Sequence, residues 1–129
     1  MGGGCLNALG TQLVLELTRC DSALLDDLSY VKSTMVQAAQ AVGATIVGES
    51  FHKFSPLGVT GVLAIAESHM CIHTWPEYGY AAVDIFTCGD GFDPHKATQL
   101  LIDGFGARSS SLTELKRGFL PDLVGTPRS

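Results

Sequence analysis

Basic residues are scarce in this sequence: eight lysines and arginines stand against thirteen aspartates and glutamates, which gives a formal net charge of −5. Proteins that bind nucleic acid through its phosphates need clustered positive charge. No run of lysine or arginine provides such a cluster. The composition therefore predicts no nucleic-acid partner, and it favours a cationic substrate only weakly.

Long apolar runs are also missing. A bilayer-spanning helix needs roughly 20 consecutive apolar residues, and no uncharged stretch of that length occurs. The opening MGGGCLNALG lacks the basic segment and apolar run of a secretory leader. We therefore expect no membrane partner and a soluble, cytoplasmic protein.

Paired cysteines are absent as well. The spacing between the four cysteines is wide and irregular, with no CxxC pair: Cys5, Cys20, Cys71 and Cys88. Neither a zinc ribbon nor a disulfide framework is indicated by this spacing. We expect reduced thiols, most of them structural.

The chain does contain enough apolar sequence for one core. Of its 129 residues 46% are apolar and 16% are charged. This length and composition suit one compact domain and are small for two. We predict a single domain over residues 1–129.

Hydrophobic periodicity predicts both strands and helices. Alternation over residues 11–18 is typical of a half-buried strand with Glu16 on the face opposite the leucines. Helical spacing from Asp21 or Ser22 to a stop at Gly43 predicts one long amphipathic helix, and Asp93-Pro94 begins a second one. Further strands are predicted over residues 44–53, 59–66, 71–75, 80–87 and 109–116, and a loose tail over residues 118–129. The order predicts an α+β fold whose mainly antiparallel sheet carries two helices on one face.

Residues 67–89, ESHMCIHTWPEYGYAAVDIFTCG, concentrate the reactive side chains of the chain. His69 and His73 stand four apart, as in some metal sites, but that spacing works on a helix and the neighbouring residues favour strands. A serine hydrolase is the other general possibility, although no GxSxG motif surrounds Ser68. The residue types alone leave a metal site, a hydrolase and a packed core open.

Residues 51–89 resemble the small prokaryotic form of the S-adenosylmethionine decarboxylase proenzyme. The resemblance rests on the strings Glu67-Ser68-His69 and IHTWPEYGY at residues 72–80. It continues more loosely at Leu9-Gly10, at Cys20-Asp21 and over GATI at residues 43–46. It implies a two-layer α/β sandwich that cuts itself between Glu67 and Ser68 to give chains 1–67 and 68–129.

The resemblance assigns a role to each residue of this self-processing. The Ser68 hydroxyl attacks the carbonyl of Glu67, and Thr60 matches a serine that assists this step in relatives. His73 matches the base that removes the Ser68 α-proton. The product is a pyruvoyl group derived from Ser68, the sole cofactor implied, with no metal. Because the strand period places Ser68 and His73 on opposite faces, we expect a turn or bulge between them.

For turnover, the resemblance implies that the pyruvoyl group forms a Schiff base with S-adenosylmethionine and accepts electrons as CO2 leaves. Cys88 matches the proton donor. Phe54 and Glu77 match positions that bind the nucleoside by ring stacking and through the ribose hydroxyls. Trp75 stacks on the substrate or supports the site, and Glu16 matches an acidic position near it.

The family resemblance also implies a homodimer with each site near the interface, and a product that serves spermidine synthesis. Two alternatives remain open. The same chemistry could act on ornithine or arginine, since Thr11-Gln12 stands where relatives commonly carry arginine and histidine. A non-catalytic homologue could serve as a partner subunit, although Ser68, His73 and Cys88 are all present.

Overall fold

The computed structural model describes residues 8–88 and 92–119, and within them a sheet of six strands is covered by helices. The strands are β1 (Gly10–Thr18), β2 (Ile46–Lys53), β3 (Val59–Ile65), β4 (Ser68–Trp75), β5 (Tyr80–Cys88) and β6 (Ser109–Arg117). The helices are α1 (Ser22–Leu25), α2 (Leu28–Ala41) and α3 (Pro94–Gly104), and a 3₁₀ turn lies at Pro76–Tyr78. The expectations about Cys5 and about the tail beyond residue 119 lie outside the described residues.

The strands lie in the order β2-β3-β4-β5-β1-β6, and every neighbouring pair is antiparallel. Helices α2 and α3 contact each other and pack on the sheet through β2, β3 and β1. The predicted α+β fold, an antiparallel sheet with its helices on one face, is confirmed. The result is a two-layer sandwich.

Strand alternation determines where the core lies. In β1 the leucines at positions 13, 15 and 17 are buried against the helices, while Val14 and Glu16 lie on the other face and are half-buried. Strand β4 alternates in the same way, with Met70 and Ile72 buried and His73 exposed. The face opposite the helices is therefore open, and it exposes apolar side chains such as Val62 and Leu115.

The prediction of one long helix over residues 21–43 is wrong, because two aspartates divide it into α1 and α2. The Asp27 carboxylate caps α2 by accepting a hydrogen bond from the Tyr30 N–H at 3.1 Å. The Asp26 carboxylate instead accepts one from the Gly58 N–H at 2.9 Å. Helix α2 ends at Ala41, and Gly43 with φ of +81° provides the predicted stop.

Strand β4 is longer than predicted, since it begins at Ser68 and not near Cys71. It pairs with β3 in an unbroken register from Ile65 opposite Ser68 to Thr60 opposite His73. The predicted hairpin between β4 and β5 is confirmed. It turns at Gly79, whose φ is +61° and whose Cα faces the Cys20 carbonyl so closely that a side chain would crowd it.

The remaining elements follow the sequence pattern. The Asp93 side chain accepts hydrogen bonds from the N–H groups of His95 and Lys96, so it caps α3 as predicted. Strand β6 extends one residue beyond its predicted end, to Arg117, and forms the edge beside β1. These elements position the ends of β4, where the predicted site residues lie.

Candidate active site

A cavity of about 300 Å³ lies at the C-terminal end of β4. Eight residues line it: Phe54, Leu57, Gly58, Thr60, His73, Thr74, Trp75 and Glu77. Five of these were singled out from the sequence, although they are spread over 24 positions of the chain from Phe54 to Glu77. A larger cavity of about 650 Å³, lined by Arg19, Tyr30 and Arg108 among others, contains none of the predicted site residues.

Thr60 and His73 face each other across β3 and β4 and point into this cavity. The Thr60 hydroxyl and the His73 Nδ1 are hydrogen-bonded at 3.1 Å, with a direction that depends on the imidazole tautomer. The ring of Trp75 lies next to that of His73, with 6.4 Å between their centres. Thr60 therefore orients the one histidine in the cavity.

The loop that carries Phe54 is held down by charged residues that the sequence patterns did not reveal. The Asp26 carboxylate accepts the Gly58 N–H and pairs with the Lys53 ammonium at 3.0 Å. Lys53 also donates to the Phe54 carbonyl at 3.0 Å. The Gly58 hydrogen bond, together with Lys53, lowers the pKa of Asp26 below its ordinary value. The sequence gives no local signal for the Asp26 contacts, because Lys53 and Gly58 lie far from Asp26 in the chain.

A buried threonine joins the same loop to the helix layer. The Thr74 hydroxyl accepts the Val59 N–H and donates to the Leu25 carbonyl, each at 2.8 Å. Buried polar groups paired in this way fix neighbouring elements in one arrangement. The cavity wall below Phe54 is therefore rigid, while the Phe54 ring itself is 46% exposed and packs edge-on against His52.

Glu77 reaches the cavity from the 3₁₀ turn that follows β4. Pro76 begins this turn, and Gly79 closes it by donating its N–H to the Pro76 carbonyl. The Glu77 side chain is exposed, so its carboxylate can accept hydrogen bonds from a bound molecule. Phe54 and Glu77 thus supply an aromatic face and an acceptor to the same cavity.

The predicted cleavage site lies at the other end of β4, outside this cavity. Ala66 and Glu67 form the two-residue turn between β3 and β4, and Ser68 is the first residue of β4. The Ser68 hydroxyl is buried and is the one buried side-chain polar atom of the described residues without a hydrogen-bond partner. Such groups are rare in folded proteins, and a reactive or strained position is one physical reason for them.

The structure separates Ser68 from His73. Five residues of extended strand span roughly 16 Å, and the two side chains alternate to opposite faces of β4. The register shows no bulge between them, so the expected turn or bulge is absent from this part of the chain. A single copy of the chain, as it stands, does not bring the histidine to the serine.

Cys88 ends β5 close to the Ser68 turn. Phe86 pairs with His69 in the β4–β5 register, and the rings of these two residues stack with 5.8 Å between centres. Cys88 follows two residues later on the same open face of the sheet and is half-buried. The thiol is therefore near the cleavage site and far from the His73 cavity.

Glu16 lies on the open face of β1, where it accepts a hydrogen bond from the Tyr80 hydroxyl. This bond, with a smaller contribution from burial, raises the pKa of Tyr80 to about 12. The Tyr80 ring also packs beside Trp75 at 5.3 Å, so Glu16 is linked to the cavity wall without lining the cavity. The sequence patterns missed Tyr80.

The other described thiols have packing roles. Burial raises the pKa of the Cys20 thiol to about 11, and burial, with the Asp84 carboxylate nearby, raises that of Cys71. Within residues 8–88 and 92–119 no cluster of three or more histidine, cysteine or acidic side chains could hold a metal ion. None of the helices described there is long and apolar enough to cross a membrane.

Comparison with known proteins places the chain in one family. The family model described as S-adenosylmethionine decarboxylase matches residues 11–118. An S-adenosylmethionine decarboxylase proenzyme from Thermodesulfovibrio yellowstonii is 50% identical over 113 residues, which cover 88% of this chain and 84% of the relative. A proenzyme of the same name from Carboxydothermus hydrogenoformans is 51% identical over 115 residues, 89% of this chain and 91% of the relative.

A solved structure agrees with the sequence relatives. The crystal structure of the adenosylmethionine decarboxylase from Aquifex aeolicus superimposes with a TM-score of 0.83 at 28% identity, over 90% of this chain and 96% of the other. The sequence resemblance is thereby confirmed. The chain belongs to the S-adenosylmethionine decarboxylase family.

Proposed function

We propose that this protein is a self-processing, pyruvoyl-dependent decarboxylase that acts on S-adenosylmethionine and releases CO2 and the decarboxylated aminopropyl donor. The observation that carries the proposal is the distribution of groups along β4. A cavity with an aromatic face and a carboxylate lies at one end, and a buried serine hydroxyl without a partner lies at the other. The relatives are named as proenzymes, which fits a chain that must process itself.

Self-processing begins at the Glu67–Ser68 peptide bond. The Ser68 Oγ forms a bond to the Glu67 carbonyl carbon, the C–N bond breaks, and the hydroxyl proton passes to the nitrogen. A base then removes the Ser68 α-proton, and the Cβ–Oγ bond breaks to leave Glu67 as a free carboxylate. Water hydrolyses the remaining enamine and releases ammonia, so chain 68–129 begins with a pyruvoyl group. The orphaned Ser68 hydroxyl fits this precursor role because no hydrogen bond must be broken before it attacks.

The cavity residues suit a nucleoside carrying a sulfonium. Phe54 offers a face on which an adenine can stack, and Glu77 can accept hydrogen bonds from ribose hydroxyls. The rings of Phe54 and Trp75 attract a cation such as the sulfonium. Ornithine and arginine carry no nucleoside, so these residues favour S-adenosylmethionine among amino-acid substrates.

Side chains of this protein supply the proton transfers of processing and turnover. When present, the pyruvoyl keto group supplies the electron sink for loss of CO2. We assign to Cys88 the delivery of a proton to the carbon that lost the carboxylate; this assignment is supported by its half-buried thiol at the end of β5, near the Ser68 turn. Thr60 holds His73 in orientation, as a base for removing the Ser68 α-proton requires.

Within one copy, Ser68 and His73 lie roughly 16 Å apart along β4. This separation supports a homodimer, in which a second copy supplies the histidine. The open sheet face is apolar in part, exposing Val62, Trp75 and Leu115. A second copy packed on this face would cover these side chains and can bring its His73 cavity to the Ser68 turn of the first. Each complete site then contains Ser68 and Cys88 of one copy with Phe54 and His73 of the other.

Two measurements test this function. Mass spectrometry of the purified protein should give two chains that divide between Glu67 and Ser68, with a blocked N-terminus on the second. CO2 release, measured side by side with S-adenosylmethionine, ornithine and arginine, should occur with S-adenosylmethionine alone. An intact chain, or release from ornithine or arginine instead, contradicts the proposal. An uncut chain that binds a partner would point to the non-catalytic alternative.

A further inference from the structure

The turn that precedes the proposed cleavage site has an unfavourable backbone. Ile65 pairs with Ser68, so Ala66 and Glu67 alone connect β3 to β4. Glu67 has φ of +62° and is, with Arg19, one of two described residues other than glycine in the left-handed region. Ala66 is not left-handed. Positive φ at the second turn position alone is the type II pattern, which normally requires glycine there and matches strand twist poorly in a two-residue hairpin.

Left-handed conformation brings the Cβ of any residue except glycine close to its own carbonyl oxygen, which is the group that Ser68 attacks. Glutamate has no short side chain with which to compensate, as asparagine or aspartate has. The strain therefore lies within the residue whose carbonyl is transferred. It coincides with the buried, unpartnered hydroxyl of the next residue.

The acyl shift lengthens this turn. In the peptide, one atom, the Ser68 nitrogen, separates the Glu67 carbonyl carbon from the Ser68 Cα. After the shift, the path runs through Oγ and Cβ and is one atom longer. A longer connection lets Glu67 leave the left-handed region while β3 and β4 stay paired. Strain that is present in the amide and relieved in the ester favours a step that is otherwise uphill.

We propose that the left-handed conformation of Glu67 is a positioning device that promotes self-cleavage, and that it acts through the backbone and not through the carboxylate. The inference rests on the proposed function, because it concerns the rate of the same cleavage. The inference predicts that the cleavage rate rises with the free-energy cost of positive φ for the residue at position 67.

The test is a cleavage time course during cell-free synthesis of the full chain, followed by gel electrophoresis. Glu67→Gly should cleave about tenfold more slowly than wild type, which corresponds to about 1.4 kcal/mol of strain. Glu67→Gln and Glu67→Ala keep a Cβ and should cleave within about twofold of wild type, and Glu67→Asn should fall between alanine and glycine. Ala66→Gly, at the turn position that is not left-handed, is the matched control and should cleave like wild type.

Stability gives a second reading that does not depend on cleavage. In the Ser68→Ala background, which cannot cut, Glu67→Gly should raise the melting temperature by a few degrees relative to Glu67, whereas Glu67→Ala should not. The inference is overturned if Glu67→Gly cleaves as fast as wild type, or if Glu67→Ala is slowed as much as glycine, since the carboxylate would then be responsible. A wild-type chain that is never cut between Glu67 and Ser68 would instead refute the proposed function.

Discussion

Polar groups at the His73 end of β4 are paired, whereas at the Ser68 end a hydroxyl is buried without a partner beside a strained turn. At the His73 end, Thr74 makes two buried hydrogen bonds and His73 is held by Thr60. At the other end, the Ser68 hydroxyl makes none and Glu67 is left-handed. Eight residues of one regular strand connect these two regions.

The difference in polar pairing between the two ends of β4 matches two functions, ligand binding and bond cleavage. A binding cavity gains affinity when its walls are fixed before the ligand arrives, because little ordering remains to oppose binding. A bond that must break gains nothing from a relaxed, fully paired precursor. Under the proposed function, the cavity end of β4 suits the first task and the turn end suits the second.

The largest expected effect comes from removing the hydroxyl at the turn. Ser68→Ala should abolish both chain cleavage and CO2 release, because without Oγ residue 68 has no atom that can attack the Glu67 carbonyl and then leave from Cβ to give the pyruvoyl group. Mass spectrometry and a CO2 assay measure the two losses. Ser29→Ala, on the exposed side of α2, is the control and should leave both unchanged. A Ser68→Ala chain that is still cut between residues 67 and 68 would show that the turn does not act through its hydroxyl.

The next effect tests whether the two ends serve one site from different copies. Expressed alone, the His73→Ala chain should not be cleaved between Glu67 and Ser68. The Ser68→Ala chain cannot be cleaved there, because it lacks the hydroxyl. Co-expressed, they should restore cleavage of up to about half of the His73→Ala chains, because random pairing puts half of those chains in mixed dimers. Different tags on the two variants allow mass spectrometry to measure the cleaved fraction of the His73→Ala chains. If co-expression restores nothing while each variant still folds, His73 acts within its own copy or has no role in processing.

Cys88→Ala should separate processing from turnover. The chain should cut itself at a normal rate, since the thiol takes no part in the acyl shift, while the decarboxylation rate should fall by about 10²- to 10⁴-fold, as expected when a general acid is lost. Cys71→Ala, which lies on β4 and on the same open face of the sheet as Cys88, is the matched control. A Cys88→Ala chain that stays uncut would move Cys88 from turnover into processing.

The sequence predicted the strands and helices better than it predicted the break between α1 and α2 or the distances between the site residues. Alternation and capping residues located all six strands and the start of α3, because those signals depend on neighbours in the chain. The helix break was missed because apolar spacing continues across it through Leu25 and Leu28, while Asp26 bonds to Gly58, 32 positions away. Residues 67–77 looked like one cluster. A strand that begins at Ser68 spreads them over two ends of the sheet.

Phe54→Ala should weaken binding at the cavity end without changing the turn. Losing a base-stacking ring costs about 1 to 3 kcal/mol, so the KM for S-adenosylmethionine should rise about 5- to 150-fold while cleavage proceeds normally. Steady-state kinetics on the cut enzyme measure this. Phe54→Trp keeps an aromatic face and should stay close to wild type. If both variants raise KM equally, the ring packs the loop and does not stack on the substrate.

The smallest effect concerns how the cavity loop is held. The Gly58 N–H and Lys53 stabilise the charged form of Asp26, so its pKa in the folded chain lies below the ordinary 3.8. A lowered pKa means that the stabilisation is present above pH 3.8 and is lost as the pH falls through the folded value. Asp26→Asn, made in the uncut Ser68→Ala chain, should therefore lower the free energy of unfolding at pH 6 and make progressively less difference below pH 3.8. Denaturant titrations at several pH values measure this. A difference that stays constant with pH would mean that the Asp26 charge does not anchor the loop.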